Sequence, residues 1–343
     1  MKKDDSFFKH VRGFLTIYLP KHKCYSENTI KAYRDAINLF RKFLLVEKGI
    51  PFTKISFDWI NHDLVYEFLT WLQNTRGCGI STKNHRLAAL KSFFKYCAYE
   101  DPALMVIYME VQKVQQQRVV RNSVEYMSEE ALKVLLEQPA ASTRCGSRNR
   151  FLMILLYDTG ARIQEILDLK LKDIHLNGQT PCIYLTGKGH KTRAVPLMDK
   201  TIDHFHKYTK LFHLNTDREQ YLFYTIIKGQ KGRMSEDNVA CFLKRYAKSA
   251  YLVCSEVPLR MYPHLFWHTR AMHLYQAGIP LSYIKDFLGH ANINTTEIYA
   301  STDTSMMRAA LEKVSKRDGE GSSAEMPIWQ DNEEMILKLC GLK

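Results

Sequence analysis

Residues 263–274 read PHLFWHTRAMHL. Three histidines, His264, His268 and His273, share these twelve residues with Trp267 and Arg270. His264 and His268 are four apart, so on a helix they lie on one face. The stretch admits three readings: a metal site, a phosphate site, or a helix that happens to be rich in histidine. A zinc-protease helix carries H-E-x-x-H, with the glutamate as base. Here Leu265 stands in the glutamate's place and no third ligand is evident. The rest of the chain must decide between the other two.

The 343 residues suffice for two domains, each with its own core. Hydrophobic content of 45% and charged content of 25% are ordinary for a globular protein. A net charge of +13 favours a polyanionic partner, of which nucleic acid is the commonest. The plainer reading is a basic protein that merely stays soluble. The charge is spread: residues 1–125 carry a net +8, residues 126–315 a net +7 and residues 316–343 a net −2. None of the eight cysteines forms a C-x-x-C pair, which removes the support for a zinc ribbon or a redox motif. The start MKKDDSFFKH has no apolar run, and no stretch approaches the roughly 18 apolar residues of a membrane span. The expectation is a cytoplasmic protein with no membrane partner.

The first hundred residues read as helices. In ENTIKAYRDAINLFRKFLL, Ile30, Tyr33, Ile37, Phe40 and Leu44 repeat at three and four, with Ser26 as cap. STKNHRLAALKSFFKYCAYE repeats the pattern with Leu87, Leu90, Phe94 and Cys97 inward, and Ser81 in position to cap it. Segments 5–18 and 60–74 are amphipathic too, making a bundle of four or five helices. Residues 105–125 lose the core pattern, run through three glutamines and read as a linker. MSEEALKVLLE then opens a fresh helix with Ser128 as cap. NRFLMILLYDTG is an apolar helix closed by Gly160, and CIYLTGKGHKTRAVPL reads as a hairpin around GKGHK. GEGSS, residues 319–323, is a flexible spacer before a short amphipathic helix, DNEEMILKLCGL.

Several residues could handle a phosphodiester. Arg162 opens a helix after the turn at Gly160. Lys188 stands between two glycines, where backbone can lie close to a ligand. His264 follows Pro263, His290 follows Gly289, and Tyr299 comes nine residues later in NTTEIYA. Singly, each has a dull reading as a turn, cap or core residue.

Together, TGARIQEIL, GKGHKTRAVPL, PHLFWHTRAMHL and FLGHANINTTEIY, in that order and spacing, resemble the tyrosine recombinase (phage integrase, Xer-like) family. The resemblance covers almost the whole chain. It implies a mainly α fold with a small β-sheet, of class α+β. A SAM-like helical core-binding domain would occupy 1–104, a linker 105–125, the catalytic domain 126–315, and a tail with a subunit-exchanged helix 316–343. The two domains would form a C-shaped clamp on DNA.

The resemblance also implies roles. Tyr299 would attack a DNA phosphate, forming a 3′-phosphotyrosine and releasing a 5′-hydroxyl. Arg162 would hold a nonbridging oxygen. Lys188 would protonate the leaving oxygen, His264 would assist proton transfer and His290 would donate to the phosphate. Glu165 would steady the site. No metal and no cofactor is implied. For His268 and His273 a core or capping place is the simpler reading. Thr29, Lys31 and Arg34, with Lys83, Arg86 and Lys91, would face DNA, although a basic helix face is often only a solvated one.

The sequence departs from the family pattern at Trp267, where the motif His-x-x-Arg puts a second arginine. Arginine offers a permanent charge and a planar fork; indole offers one neutral N–H. The expectation is a chain that binds its DNA and cleaves it poorly, with Arg270, one turn on, at best a partial substitute. The implied partners are double-stranded DNA with inverted-repeat core sites and further copies of the chain, joined through the C-terminal helix into dimers or tetramers. Accessory directionality proteins and a bacterial nucleoid location go with the integrase or transposase of a mobile element. The rivals are a DNA-binding homologue that no longer exchanges strands and a type IB topoisomerase-like enzyme.

Overall fold

The protein is described by a computed structural model covering residues 6–119, 124–187, 189, 191–214, 217–290 and 292–302, without the side chains of 294, 301 and 302. The chain divides into two compact units, Met1–Arg121 and Asn122–Lys343.

Every regular element among the described residues of the first unit is helical. Helix α1, Ser6–Gly13, runs into a wider π turn over Phe14–His22, which carries Pro20. Next come α2, Glu27–Lys48, α3, His62–Asn74, α4, Ile80–Glu100, and α5, Met105–Lys113. The three-and-four spacing of α2 does what it predicts: Ile30, Ile37, Phe40 and Leu44 are buried, and Ser26 accepts from Thr29 N. Helix α4 begins earlier than Ser81 suggests, with Gly79 as its cap and no side-chain cap bond. An aromatic core of Phe7, Phe14, Phe40, Phe43, Phe68, Phe93 and Phe94 holds the helices together.

The segment expected as a linker does not begin as one. Residues 105–113 form α5, packed on α3 and α4, and Val111 and Val114 are buried in the same core. Ile107, Val111 and Val114 carry the helical spacing that the glutamine run after them masks. Asn84 on α4 then pins the chain, donating from Nδ2 to the Gln117 carbonyl at 2.7 Å and accepting from Gln117 N at 3.1 Å.

The second unit is built on α6, Glu129–Glu137, α7, Arg144–Thr159, and the short α8, Ile163–Asp168. A three-stranded antiparallel sheet follows: β1, Ile174–His175, β2, Cys182–Thr186, and β3, Thr192–Pro196. The expected hairpin is β2–β3, in register from Cys182↔Pro196 to Thr186↔Thr192. Lys188 at its tip lies outside the described residues. Helix α9, Asp199–Phe212, and a second hairpin, β4, Tyr224–Ile227, with β5, Gln230–Arg233, come next. The chain then returns to helix in α10, Glu236–Tyr251, α11, Pro263–Gln276, α12, Leu281–Leu288, and α13, Glu297–Thr302. Phe151, Leu152, Leu155 and Leu156 on α7 are buried, and α9 and α11 pack on that helix. The tail expected to hold an exchanged helix, 316–343, also lies outside the described residues. Among the described residues no helix is long and apolar enough to cross a membrane.

Candidate active site

One end of the second unit gathers the chemistry-bearing side chains. Helix α7 closes on Gly160 in the left-handed region, φ +55°, so the chain turns tightly and Arg162 becomes the cap of α8. Arg162 N donates to Glu165 Oε2 at 3.0 Å, and Arg162 Nη1 donates to Glu165 Oε1 at 3.2 Å. Glu165 is buried and doubly held: Arg193 Nη1 and Nη2 donate to its two oxygens at 3.1 and 2.8 Å. Arg193 Nε donates to the Phe287 carbonyl at 3.0 Å, which ties β3 to the end of α12. Burial pushes the Glu165 pKa up, but Arg193's hydrogen bonds and charge, with Arg162's, outweigh it and bring it below the ordinary value.

Gly289 after α12 serves the same arrangement. It has φ +66°, and a Cβ there would lie 3.0 Å from Arg193 Nη1. Gly289→Ala should therefore destabilise the fold by about 1–3 kcal/mol and loosen Arg193 from Glu165. Denaturant melts of the two chains measure this, and an unchanged midpoint would contradict it.

Helix α11 carries PHLFWHTRAMHL, and Pro263 opens it. The His264 ring stacks on Trp267, with centroids 4.3 Å apart and planes at 16°. Trp267 is 3% exposed. It lies 4.8 Å from His290, 6.2 Å from Tyr299 and 5.7 Å from the Arg162 guanidinium, centroid to group. Tyr299 comes from α13, is fully buried, and hydrogen-bonds His268 Nδ1 at 3.1 Å. His290 Nδ1 meets the Thr296 hydroxyl at 2.7 Å. Two buried ring nitrogens, Trp267 Nε1 and His290 Nε2, have no hydrogen-bond partner among the described residues.

The electrostatics keep the pocket's histidines neutral. Burial, then Arg162, His264 and neighbouring cations, hold the His290 pKa down to about 4. Burial, then His264 and His290, hold His268 down to about 4 as well. Burial and the Arg162 charge lower His264. Burial pushes the Tyr299 phenol up, with Arg162 only partly opposing it. Among the described residues, the resting pocket thus presents a protonated phenol, neutral imidazoles and the Arg162 guanidinium.

Arg162, Glu165, His264, Trp267, His290 and Tyr299 are therefore brought together. Arg193, His268 and Thr296 join them without having been foreseen. Arg193 was signalled by alternation, since it lies two residues before the buried Val195 on β3. Arg270 turns away: its guanidinium lies over the rings of Tyr157 and Phe287, at 5.0 and 6.0 Å.

The expected DNA-facing set divides. Lys31 and Arg34 are exposed on α2, and Thr29 is half-buried beside its cap, Ser26. Lys83 corrects the expectation of a solvated lysine: it is 4% exposed and its ammonium donates to Gln73 Oε1. Arg86 donates to the Ala32 carbonyl at 3.1 Å and Lys91 to the Gln112 carbonyl at 3.2 Å. These three α4 cations are engaged within the first unit.

A helical domain with a small sheet and a buried tyrosine among histidines and arginine is the architecture of the tyrosine recombinases. A profile described as the phage integrase family matches residues 125–306, and one described as the phage integrase N-terminal SAM-like domain matches residues 15–102. The chain belongs to the phage integrase family. It is 29% identical over 310 residues to the tyrosine recombinase XerC of Bacillus licheniformis, covering 87% of this chain and 95% of that one. It is 28% identical over 289 residues to the tyrosine recombinase XerA of Pyrococcus horikoshii, covering 84% and 88%. The fold is similar to that of the Tn1549 transposon integrase in complex with transposon right end DNA, with a TM-score of 0.67 at 17% identity, covering 92% of this chain and 100% of that one. It is also similar to the XerH site-specific recombinase bound to a palindromic difH substrate, with a TM-score of 0.65 at 23% identity, covering 91% and 89%.

Proposed function

We propose that the chain is a site-specific DNA recombinase of a mobile element, working through a 3′-phosphotyrosine, and that Trp267 slows its cleavage step. One observation carries the reading: Tyr299, His264, His290 and Arg162 all surround the indole of Trp267 in a single pocket. Tyr299 attacks the phosphorus. Arg162, oriented by Glu165, holds a nonbridging oxygen. The Thr296 hydroxyl lies 2.7 Å from His290 Nδ1; in the tautomer where that hydroxyl donates, the proton of His290 sits on Nε2, the buried nitrogen without a partner among the described residues, and is available to a phosphate oxygen. His264 assists proton transfer. Lys188, outside the described residues, takes the general-acid role that the family resemblance gives it.

The partner is double-stranded DNA with inverted-repeat core sites, approached in the first unit by Lys31 and Arg34, and further copies of the chain assemble on it. A DNA-binding homologue without strand exchange is the second reading, and the indole at position 267 is the observation that favours it. Footprinting on the DNA that flanks the chain's own gene tests the proposal. A protected inverted repeat is expected. Its affinity should fall about 10³-fold or more between 50 and 200 mM salt, as several phosphate contacts require. Salt-insensitive binding, or protection with no sequence preference, would count against it.

A further inference from the structure

His268 has no part in the steps set out above, yet among the described residues its side chain hydrogen-bonds the Tyr299 hydroxyl. Helix α11 places it one turn after His264, and its ring is boxed in by aromatic neighbours. Trp267 meets it at 5.1 Å and 75°, His264 at 4.7 Å and 74°, and the Tyr299 ring at 6.0 Å. These contacts fix the ring so that Nδ1 points at Tyr299 Oη, 3.1 Å away. At that distance a single proton lies between the two atoms.

We propose that His268 holds the Tyr299 phenol through Nδ1 and receives its proton as Tyr299 attacks the DNA phosphorus. The proposal rests on the recombinase reading of this pocket. In the proposed arrangement the neutral imidazole carries its own proton on Nε2, so Nδ1 accepts from the Tyr299 hydroxyl and the transferred proton starts on Oη. As the Oη–phosphorus bond forms, the proton passes to His268 Nδ1. The bond from phosphorus to the 5′ oxygen breaks, and that oxygen is protonated by the general acid assigned to Lys188. Rejoining reverses each transfer. The groups that face His268 are His264 on its own helix, His290 after α12 and Tyr299 on α13, with Arg162 beside Tyr299. In the free chain burial, then His264 and His290, disfavour an imidazolium. The negative charge of the bound phosphate offsets that, so His268 can become charged when the nucleophile needs it.

The test uses the full-length chain carrying Trp267→Arg and a nicked suicide duplex of the footprinted site. His268→Ala should lower the rate of covalent complex formation about 10²-fold or more, the usual worth of a positioned proton acceptor. His268→Asn keeps an acceptor near the Nδ1 position. It should recover part of the loss, with a rate that climbs more steeply with pH because the proton must now leave to solvent. A His268→Ala chain that cleaves within about threefold of its parent would overturn the proposal. So would equal losses in both variants at unchanged pH dependence.

A second measurement needs no DNA. In the chain as it stands, nitrogen-15 histidine NMR should show His268 Nδ1 unprotonated and accepting, with its resonance displaced by Tyr299→Phe. A resonance that Tyr299→Phe leaves in place would also overturn the proposal. Absence of cleavage in every chain, with that displacement present, would instead count against the recombinase reading and leave the hold on the phenol standing.

Discussion

Trp267→Arg should raise the yield of covalent DNA–protein complex about 10²–10³-fold over the parent chain, the range set by one preorganised donor to the transition state. The pentavalent phosphate gathers negative charge on its nonbridging oxygens. Arg162 answers that charge from one side. At position 267 the chain offers an indole that is 3% exposed, packed against His264, and whose Nε1 has no partner among the described residues. Indole brings no charge, and its bulk lies among the groups that must close on the phosphate. The same substitution should lower stability by about 1–3 kcal/mol in the free chain. It gives up the stacking on His264 and the guanidinium–indole contact with Arg162, and places a second guanidinium nearby. DNA affinity should change little, since most of it comes from phosphate contacts elsewhere. Trapping on a suicide duplex, with thermal melts of both chains, measures all three effects. Equal yields from the two chains would remove Trp267 as the cause of weak cleavage.

Glu165→Gln should destabilise the fold by about 3–5 kcal/mol at neutral pH, the cost of leaving a buried charge without its partner. Arg193 would lose its bidentate acceptor and Arg162 its support, so cleavage should fall as well, measured in the Trp267→Arg chain. The pH dependence follows from the direction of the Glu165 shift. Its folded pKa is depressed, so the ion pair's stabilisation is complete above the ordinary glutamate value and is lost as pH falls through the depressed one. The gap between parent and Glu165→Gln should therefore be largest at neutral pH and narrow in acid. A gap that stays constant down the acid limb would show that the carboxylate's charge is not what stabilises this end of the unit.

Two unforeseen placements share one physical cause. Lys83 lies on the series that continues to Leu87, Leu90 and Phe94, so spacing along α4 already turns it inward. Arg193 is two residues from buried Val195, so alternation along β3 turns it inward too. In both cases the position pattern assigned the face and the residue's charge argued for the other one. The pattern prevailed because another element supplies the partner: Gln73 from α3 for Lys83, and Glu165 from α8 for Arg193. Such partners are set by tertiary packing, which a periodicity along one segment does not contain. His268 was visible as a fourth-residue neighbour of His264, but its tie to Tyr299 spans 31 residues and two turns of chain. By contrast, α2, the end of α7 at Gly160 and the β2–β3 hairpin depend on local spacing and turn chemistry, and these were legible. So were the four motifs; the described residues of three of them converge because α11, α12 and α13 pack together and Arg162, at the start of α8, reaches Leu288 and Trp267.

The central claim is that Tyr299 is the nucleophile of this pocket and that Trp267 limits it. Peptide mapping by mass spectrometry of the covalent complex tests that claim most directly. In the Trp267→Arg chain the DNA adduct should sit on Tyr299, vanish with Tyr299→Phe, and appear in the parent chain at about a hundredth of the yield or less. An adduct on another residue, or one of equal yield in the parent, would contradict the account.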